Sequence, residues 1–231
     1  MREFFKSLVP PILIKVLRKI VPAKNSNNVS WNLDDQNKGE YWGNLADLLE
    51  TWGDDHVWNE IQMFLYDKKG KVLDIACGTG ATMQRLSKFP ALELYGVDNS
   101  TELIEKCRLK GFDEKHLNTQ SALDKLNYED NFFDYSYSIG LLHYIKEGAE
   151  LDKFVSENHR ITRIASFHKL PMSLHDTDQD EVITWQKYIN NSSSWWAKEL
   201  GKKFSRVEVI KSGWKDNDYA LSKGIWLVCI K

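Results

Sequence analysis

A largely apolar run at residues 72–75 leads into a turn that holds two glycines, Ala-Cys-Gly-Thr-Gly at residues 76–80. A helix-like segment follows at residues 81–86, and a second apolar run at residues 92–97 ends at Asp98. Strands that alternate with helices predict βαβ units and a parallel sheet. A strand, a glycine turn, a helix, a strand and an acid are together typical of nucleotide-binding units. The glycines let the backbone approach the ligand, and the acid accepts hydrogen bonds from ribose hydroxyls.

The alternation of strands and helices continues along the chain. Ser100 is typical of a helix N-cap and Gly111 of a helix end, and residues 148–158 and 195–201 also have a helical pattern. The polar stretch at residues 169–193 is long enough to predict a functional loop or lid rather than a simple connection. Further strands are predicted at residues 117–122, 132–139, 161–167, 204–210 and 224–230.

The N-terminal part of the chain predicts a separate basic helix. Residues 2–24 place apolar side chains at helical spacing, but the segment is too short and too charged to span a bilayer and lacks a signal-peptide cleavage site. Two interpretations remain: a helix packed on the domain or on a second copy of the chain in a homodimer, or an interfacial helix whose basic side faces anionic lipid. Residues 25–40 are polar, and helical spacing resumes at residues 41–65. We therefore expect a basic amphipathic helix and linker at residues 1–40 and the main domain at residues 41–231.

Composition narrows the class of protein. The chain has 231 residues, which suits one α/β domain with a small appendage. Its formal net charge of −2 gives no reason to expect a nucleic-acid partner. The three cysteines show no paired spacing, and no residues have metal-ligand spacing, so neither a disulfide framework nor a metal site is predicted. A cytoplasmic protein fits best, peripheral at the inner face of the membrane if residues 2–24 bind lipid.

The glycine turn does not suit a dinucleotide. That fingerprint needs a third glycine for close helix packing, and Met83 stands in its place. No Lys-Ser or Lys-Thr pair completes a phosphate-binding loop. The run Val-Leu-Asp-Ile-Ala-Cys-Gly-Thr-Gly at residues 72–80 instead resembles motif I of the class I S-adenosylmethionine-dependent methyltransferases. Within that family it is most similar to the methyltransferase type 11, or ubiquinone-biosynthesis-type, domain.

Three further features follow in this family's order, so the resemblance covers roughly residues 66–170. Asp98 closes the second strand, where the family's acid binds the adenosyl ribose. Gln-Ser-Ala at residues 120–122 stands where the family approaches the adenine. Asn-Phe-Phe-Asp at residues 131–134 and Leu-Leu-His-Tyr-Ile at residues 141–145 resemble the pattern that follows in the family.

The resemblance implies a Rossmann-like α/β fold with S-adenosyl-L-methionine as the cofactor. Its doubly wound, mostly parallel sheet would have seven strands in the order 3-2-1-4-5-7-6, with the last strand antiparallel, and an N-terminal helical extension would precede it. The sequence departs from the family in three places. Ala76 replaces its usual first glycine, Ser121 replaces an acid often found near the adenine, and Asn-His-Arg-Ile at residues 158–161 replaces the family's usual turn before the fifth strand. The residues that the resemblance assigns to the cofactor are Trp42, Asp74, Ala76, Gly78, Gly80, Asp98, Asn99, Ser121, Ala122 and Ser138.

Two histidines are candidates for the base of a methyl transfer to oxygen. His143 follows the fourth predicted strand, beside the expected position of the methyl group, and an ordinary histidine pKa of about 6.5 suits the role. His168 follows the fifth predicted strand and is the second candidate. A packed or capping histidine is the structural alternative for His143. His175 and Asp176, in the predicted loop, are a further candidate pair on the substrate side.

We therefore expect a methyltransferase that acts on a small-molecule acceptor, with O-methylation of a sugar or glycan-related hydroxyl as the first choice. The start of the chain, Phe-x-x-Leu-Val-Pro-Pro-Ile-Leu-Ile-Lys at residues 5–15, is similar to that of bacterial methyltransferases of surface-glycan biosynthesis. Three alternatives remain open. They are N- or C-methylation of another metabolite such as a quinone precursor, a non-catalytic scaffold that binds S-adenosylmethionine, and a nicotinamide enzyme.

Overall fold

The sheet and its covering helices lie in the part of the chain that begins at residue 33. The predicted amphipathic helix at residues 2–24 lies outside this part, as does the predicted linker up to residue 32. The computed structural model describes residues 33–52, 59–179, 181–184, 186–216 and 219–231.

Nine strands and seven α-helices are present in these described residues. None of the helices is long and apolar enough to cross a membrane. The strands are β1 (Gly70–Ile75), β2 (Leu92–Asp98), β3 (Leu117–Thr119), β4 (Phe133–Ile139), β5 (Thr162–Ser173), β6 (Glu181–Ile183), β7 (Lys187–Ile189), β8 (Arg206–Lys215) and β9 (Ser222–Ile230). The helices are α1 (Gly39–Gly43), α2 (Ala46–Trp52), α3 (Gln62–Leu65), α4 (Ala81–Leu86), α5 (Thr101–Leu109), α6 (Ala149–Ile161) and α7 (Ser193–Leu200).

Seven of the strands form one sheet in the spatial order β3-β2-β1-β4-β5-β9-β8. Neighbours among β1 to β5 are parallel, whereas β9 pairs antiparallel with both β5 and β8. Counted within this sheet, the order is 3-2-1-4-5-7-6 with the last strand antiparallel, which confirms the predicted fold. β6 and β7 form a separate antiparallel hairpin.

Helices cover both faces of the sheet because successive residues of a strand point to opposite sides. Leu73 of β1 belongs to a buried cluster with Phe154 of α6 and Trp196 of α7. Its neighbour Val72 belongs to a second cluster, together with Met83 of α4. Burial on both faces explains why β1 is apolar at Val72, Leu73 and Ile75, on successive as well as alternate positions.

The polar stretch at residues 169–193 is irregular only in part, since residues 174–179 are exposed and belong to no helix or strand. β5 continues to Ser173, where it pairs with Ser222 of β9, and the β6–β7 hairpin and the start of α7 follow. Asn190 and Asn191 are fully buried, and their side-chain amides donate hydrogen bonds to neighbouring segments. Outside residues 174–179 the prediction of an irregular loop was wrong, because polar side chains such as Asn190 and Asn191 satisfy internal hydrogen bonds instead of facing solvent.

Glu60 anchors the segment before α3 to the edge of the sheet. Its carboxylate accepts hydrogen bonds from Ser212 Oγ at 2.7 Å, Gly213 N at 2.6 Å and Trp226 Nε1 at 2.8 Å. Burial raises the pKa of Glu60, but these three hydrogen bonds outweigh it and hold the pKa below its ordinary value. Ser212 and Gly213 lie where the pairing of β8 with β9 shifts register. The Glu60 carboxylate thus gives Gly213 N–H a hydrogen-bond acceptor at this irregularity.

Candidate active site

The turn after β1 places three residues in the left-handed region of backbone conformation. Ala76, Gly78 and Gly80 have φ angles of +60°, +56° and +75°. A Cβ on Gly80 would lie 2.9 Å from Cys107 Sγ, so packing as well as backbone conformation requires glycine there. A Cβ on Gly78 would meet no atom within 4 Å. The backbone at Gly78 is therefore open to the close approach of a ligand.

Ala76 occupies a conformation that explains the family's glycine at this position. We expect Ala76→Gly to raise the free energy of unfolding by about 0.5–1 kcal/mol, because relief of left-handed strain exceeds the entropic cost of glycine. Urea denaturation measures the change. The matched control is Ala197→Gly within α7, which should lower the stability by about 0.5–1 kcal/mol. A loss of stability of the same size in both variants would contradict the strain.

Asp98 joins the end of β2 to the glycine turn. Its buried carboxylate accepts a hydrogen bond from Gly78 N on Oδ2 and from Ser100 N on Oδ1, each at 2.9 Å. Burial raises the pKa of Asp98, and the two backbone N–H groups oppose that rise. Ser100 in turn caps α5 by accepting a hydrogen bond from Leu103 N. The structure thus brings two predicted cofactor residues, Gly78 and Asp98, into direct contact.

Asp74 lies buried on β1, beneath the turn. Tyr137 of β4 donates its hydroxyl to Asp74 Oδ2 at 2.8 Å. Burial raises the pKa of Asp74 to about 8, against the effect of the Tyr137 hydrogen bond and with a smaller contribution from the charge of Asp98. The carboxyl group is therefore mostly protonated at neutral pH, and it supports the turn as a neutral hydrogen-bonding group.

Asp74 should make the protein less stable as the pH rises from about 4 to about 8. Its pKa of about 8 in the folded state exceeds the usual unfolded value, so its stabilising contribution is complete below the unfolded pKa and is lost as the pH passes the folded pKa. Asp74→Asn, which is neutral at every pH, should flatten this decline in urea denaturation between pH 5 and 8. The exposed Asp67→Asn is the control. The same slope in the wild type and in Asp74→Asn would contradict the assignment.

Residues Leu33–Gly43, called here the closing segment, contact the residue that follows β2. Asn99 Nδ2 donates a hydrogen bond to Asn37 O at 3.0 Å. A Cβ on Gly39 would lie only 2.1 Å from Asn99 O, so glycine is required for this approach of the two backbones. The predicted cofactor residue Asn99 is therefore covered by the closing segment.

Trp42 extends the closing segment towards the loop after β4. Its ring lies 5.2 Å from that of Tyr144, centroid to centroid, and its Nε1 donates to Gln36 O at 2.6 Å. These contacts place Trp42 beside the turn that follows β4, and its role of covering the cofactor stays a prediction.

Ser121 and Ala122 follow β3 at the same edge of the sheet. Gln120 N donates to Asp98 O at 2.9 Å, so this turn begins beside Asp98. Ser121 Oγ accepts a hydrogen bond from Leu123 N, and Ala122 packs on the buried core. Both residues therefore have a structural role in addition to the predicted cofactor contact.

His143 lies in a 3-10 turn, Leu142–Tyr144, beyond the end of β4. Its ring packs against Tyr144 at 4.0 Å and edge-on against Tyr188 at 5.7 Å, centroid to centroid. The side chain is buried, and its Nδ1 has no hydrogen-bond partner among the described residues. Burial lowers the pKa of His143 to about 3, so the expected ordinary value near 6.5 is corrected. The ring is neutral at physiological pH and can accept a proton.

A cavity of about 430 Å³ lies beside His143. The closing segment, the residues around His143 and the β6–β7 hairpin form its walls. Its lining includes Gln36, His143, Tyr144, Glu181, Lys187 and Tyr188.

His168 does not reach this edge of the sheet. It is fully buried within β5, with Nδ1 2.9 Å from Ser138 Oγ and Nε2 2.8 Å from Ser166 Oγ. Ser136 Oγ continues this polar chain from Ser166 to the Asn158 amide. Since both ring nitrogens are occupied, the geometry favours a structural role for His168 over the predicted catalytic one. The Ser138 hydroxyl is likewise committed to this chain rather than to a cofactor.

Of the predicted pair His175 and Asp176, His175 is exposed and Asp176 has structural contacts. Asp176 accepts hydrogen bonds from Ser193 N at 2.7 Å and Ser193 Oγ at 3.1 Å, which anchors the start of α7. No group of three or more His, Cys, Asp or Glu side chains in the described part of the chain could hold a metal ion.

The sequence did not single out Gln36 or Tyr188 as site residues. Gln36 falls in a polar stretch that predicts a linker, and Tyr188 falls in the stretch that predicts an irregular loop. No motif or spacing marks either residue. Only the tertiary pairing of the closing segment with the β6–β7 hairpin brings them to the cavity.

Comparison with known proteins bears on residues 73–167. These residues match the family model of the methyltransferase domain, and this match confirms the resemblance over that range. A 73-residue segment is 30% identical to the sterol 24-C-methyltransferase of Schizosaccharomyces pombe; it is 30% of this chain and 19% of that enzyme. The chain thus matches about a fifth of the length of this curated relative.

Solved structures with the same fold cover most of the chain. One is the protein in complex with the Haloferax volcanii methyltransferase activator Trm112 (14% identity, TM-score 0.63, covering 82% of this chain and 96% of that chain). Another is phosphoethanolamine N-methyltransferase 2 of Haemonchus contortus, bound to phosphomonomethylethanolamine and S-adenosylhomocysteine (16% identity, TM-score 0.63, covering 88% of this chain and 60% of that chain). Residues 73–167 therefore match the methyltransferase domain model, and the chain has the Rossmann-like fold seen in S-adenosylmethionine-dependent methyltransferases.

Proposed function

We propose that this protein transfers a methyl group from S-adenosylmethionine to a hydroxyl of a small-molecule acceptor. The observation that carries the proposal is the contact between Gly78 and Asp98, where an open stretch of backbone meets a buried carboxylate. A cofactor with a ribose and an amino-acid part needs both features, because the hydroxyls need an acceptor and the polar tail needs backbone groups. The residues present fit this cofactor.

In the proposed complex, Asp98 accepts hydrogen bonds from the ribose hydroxyls and the backbone around Gly78 and Gly80 faces the methionine part. Asn99 and the turn at Ser121 and Ala122 lie on the adenine side. Trp42 covers the cofactor from the closing segment. When bound, S-adenosylmethionine supplies an electrophilic methyl group: the bond from carbon to the acceptor oxygen forms as the carbon–sulfur bond breaks, and sulfur keeps the electron pair.

His143 takes the hydroxyl proton in this proposal. Burial lowers the pKa of His143 to about 3, so the ring is neutral at physiological pH but is a weak base. The role is supported by geometry, because its buried Nδ1 has no partner among the described residues and the side chain lines the cavity. Its place beyond β4 puts it next to the cavity and to the carboxyl edge of the sheet. A positioned base contributes about 10²–10⁴-fold to the rate of a proton-coupled transfer. The acceptor is small because the cavity holds only about 430 Å³.

Calorimetry with S-adenosylhomocysteine, S-adenosylmethionine and NAD tests the cofactor. We expect both sulfur compounds to bind with dissociation constants of about 1 μM to 1 mM, and NAD not to bind. Formation of S-adenosylhomocysteine is then followed with methyl α-D-glucopyranoside, catechol and phosphoethanolamine as acceptors. Turnover with a hydroxyl acceptor supports the proposal, and turnover with phosphoethanolamine alone favours N-methylation. Binding without turnover of any acceptor favours a scaffold, whereas binding of NAD alone overturns the cofactor assignment.

A further inference from the structure

Two buried polar atoms beside the cavity lack hydrogen-bond partners. They are Gln36 Nε2 and His143 Nδ1, on side chains that are only 5% and 6% exposed, and neither atom has a partner among the described residues. Leaving a buried donor or acceptor unpaired costs about 1–3 kcal/mol, so such a group needs an explanation, for example a bound ligand or water. Both side chains line the same cavity, so a ligand in that cavity is the partner available to both.

The amide of Gln36 is oriented by a second contact. Gln36 Oε1 accepts a hydrogen bond from Lys187 N at 2.8 Å, which ties the closing segment to the β6–β7 hairpin. Because the oxygen is committed to this backbone N–H, the nitrogen is left as a donor at the cavity wall. Gln36 therefore presents two N–H groups to an acceptor atom on the ligand.

The charges around the cavity balance one another. Lys187 forms an ion pair with Glu181 at 3.1 Å, and Glu147 accepts a hydrogen bond from Asn191 Nδ2 at 2.9 Å. The lining also contains Lys146, so it carries two basic and two acidic side chains. A balanced lining gives no net attraction to a strongly charged ligand.

The rest of the lining is aromatic and aliphatic. Tyr144 and Tyr188 present rings to the cavity wall, and Ile145 and Ile189 lie beside them. The Tyr188 hydroxyl is already engaged with Ser222 Oγ at 3.0 Å, so its ring rather than its hydroxyl is available to a ligand. Aromatic rings of this kind stack on the apolar faces of flat or ring-shaped molecules.

We infer that this cavity binds an uncharged, oxygen-rich ring molecule, such as a sugar or another cyclic polyol, and that Gln36 recognises it by donating to one of its oxygens. The inference rests on the proposed function, since it names the acceptor class of the same site. Gln36 is then a residue that determines acceptor specificity, while His143 faces the hydroxyl that is methylated. The closing segment, which the sequence predicts as part of a linker, carries this recognition.

The Gln36→Glu variant tests the role of the amide nitrogen. Glutamate keeps an oxygen for Lys187 N and replaces only the donor. Its matched control is Gln186→Glu, because Gln186 is also buried with an Nε2 that lacks a partner among the described residues, yet it does not line the cavity. Gln36→Met, which introduces no charge, is the second variant if the glutamate prevents folding. A thermal melt of each variant checks that it folds.

Binding is measured by ligand-observed NMR with the protein saturated with S-adenosylhomocysteine. The probes are methyl α-D-glucopyranoside and myo-inositol as polyols, and glucuronate and phosphoethanolamine as charged compounds. We expect a polyol to bind the wild type best, and its dissociation constant to rise about tenfold in Gln36→Glu and Gln36→Met. Gln186→Glu should change it less than about twofold, and the affinity for S-adenosylhomocysteine should stay constant in all variants.

Three results would overturn the inference: no polyol binds, a charged probe binds better than the polyols, or Gln36 and Gln186 variants change polyol binding equally. Failure of the proposed function is a separate result, because it appears as absent S-adenosylhomocysteine binding in the wild type. The polyol titration is then run on the protein alone, and the same comparison of variants applies.

Discussion

Asp98→Ala is expected to weaken S-adenosylhomocysteine binding by about 100-fold or more. The variant removes the proposed acceptor for the ribose hydroxyls, and it also releases Gly78 N and Ser100 N, which the carboxylate holds at 2.9 Å. Hydrogen bonds to a charged group contribute about 1.5–3 kcal/mol each, so the loss of two hydrogen bonds from the ribose hydroxyls suffices for this change in affinity. Isothermal titration calorimetry measures the affinity.

Two further variants make the Asp98 experiment specific. Asp98→Asn keeps one acceptor oxygen and should bind with intermediate affinity. Asp113→Ala removes another acid that accepts a backbone hydrogen bond, from Lys115 N at 3.0 Å, but at the exposed surface. It should bind as the wild type does. If Asp98→Ala bound S-adenosylhomocysteine within about threefold of the wild type, the carboxylate would not be the ribose acceptor.

His143→Phe is expected to lower kcat by about 10²-fold, the lower end for a general base because its pKa of about 3 makes the ring a weak base, while leaving S-adenosylhomocysteine affinity unchanged. Phenylalanine keeps a ring between Tyr144 and Tyr188 but cannot accept a proton. The rate is measured with the best hydroxyl acceptor. His159→Phe is the control. His159 lies on α6, packs against Phe204 and does not line the cavity. An unchanged kcat in His143→Phe would assign the ring to packing alone.

The pH dependence should follow from the depressed pKa of His143. Its active, neutral form persists down to a pH of about 3, so activity between pH 5 and 8 should show no acid limb from this residue. The direction of this pH dependence follows from the lowered pKa of His143, because the neutral ring predominates at every pH above that pKa. An acid limb near pH 6.5 that disappears in His143→Phe would show that the ring titrates normally.

The regular parts of the fold could be predicted because they combine two independent signals. The apolar runs of the central strands are buried on both faces, and the glycine turn needs left-handed backbone at defined positions, so both are visible in the residue types. The sheet order followed from the resemblance that these signals supported. The stretch at residues 169–193 could not be predicted in this way, because Ser173, Asn190 and Asn191 are polar and yet fully buried.

The candidate site could be predicted only in part. Gly78 and Asp98 belong to one local βαβ unit, where spacing along the chain determines proximity, and they do meet. His168 follows an apolar run, as the sequence shows, but its full burial and its hydrogen bond with Ser138 depend on β4, which no local pattern reveals. Its other partner, Ser166, lies two residues earlier on the same strand. Gln36 reaches its partner Lys187 across 151 residues of sequence, so only the folded chain shows it.

The polar chain around His168 fixes how β4 is aligned with β5. Ser136 lies opposite Ser166, and Ser138 lies opposite His168, so two hydrogen bonds of the chain join residues directly across β4 and β5. A slip of one residue would shift β4 by about 3.3 Å and turn these side chains to opposite faces. An error of about 1 Å in a reacting atom can cost about 100-fold in rate. The buried hydroxyls and the imidazole thus fix the register of β4 against β5, and with it the position of His143 beyond the end of β4.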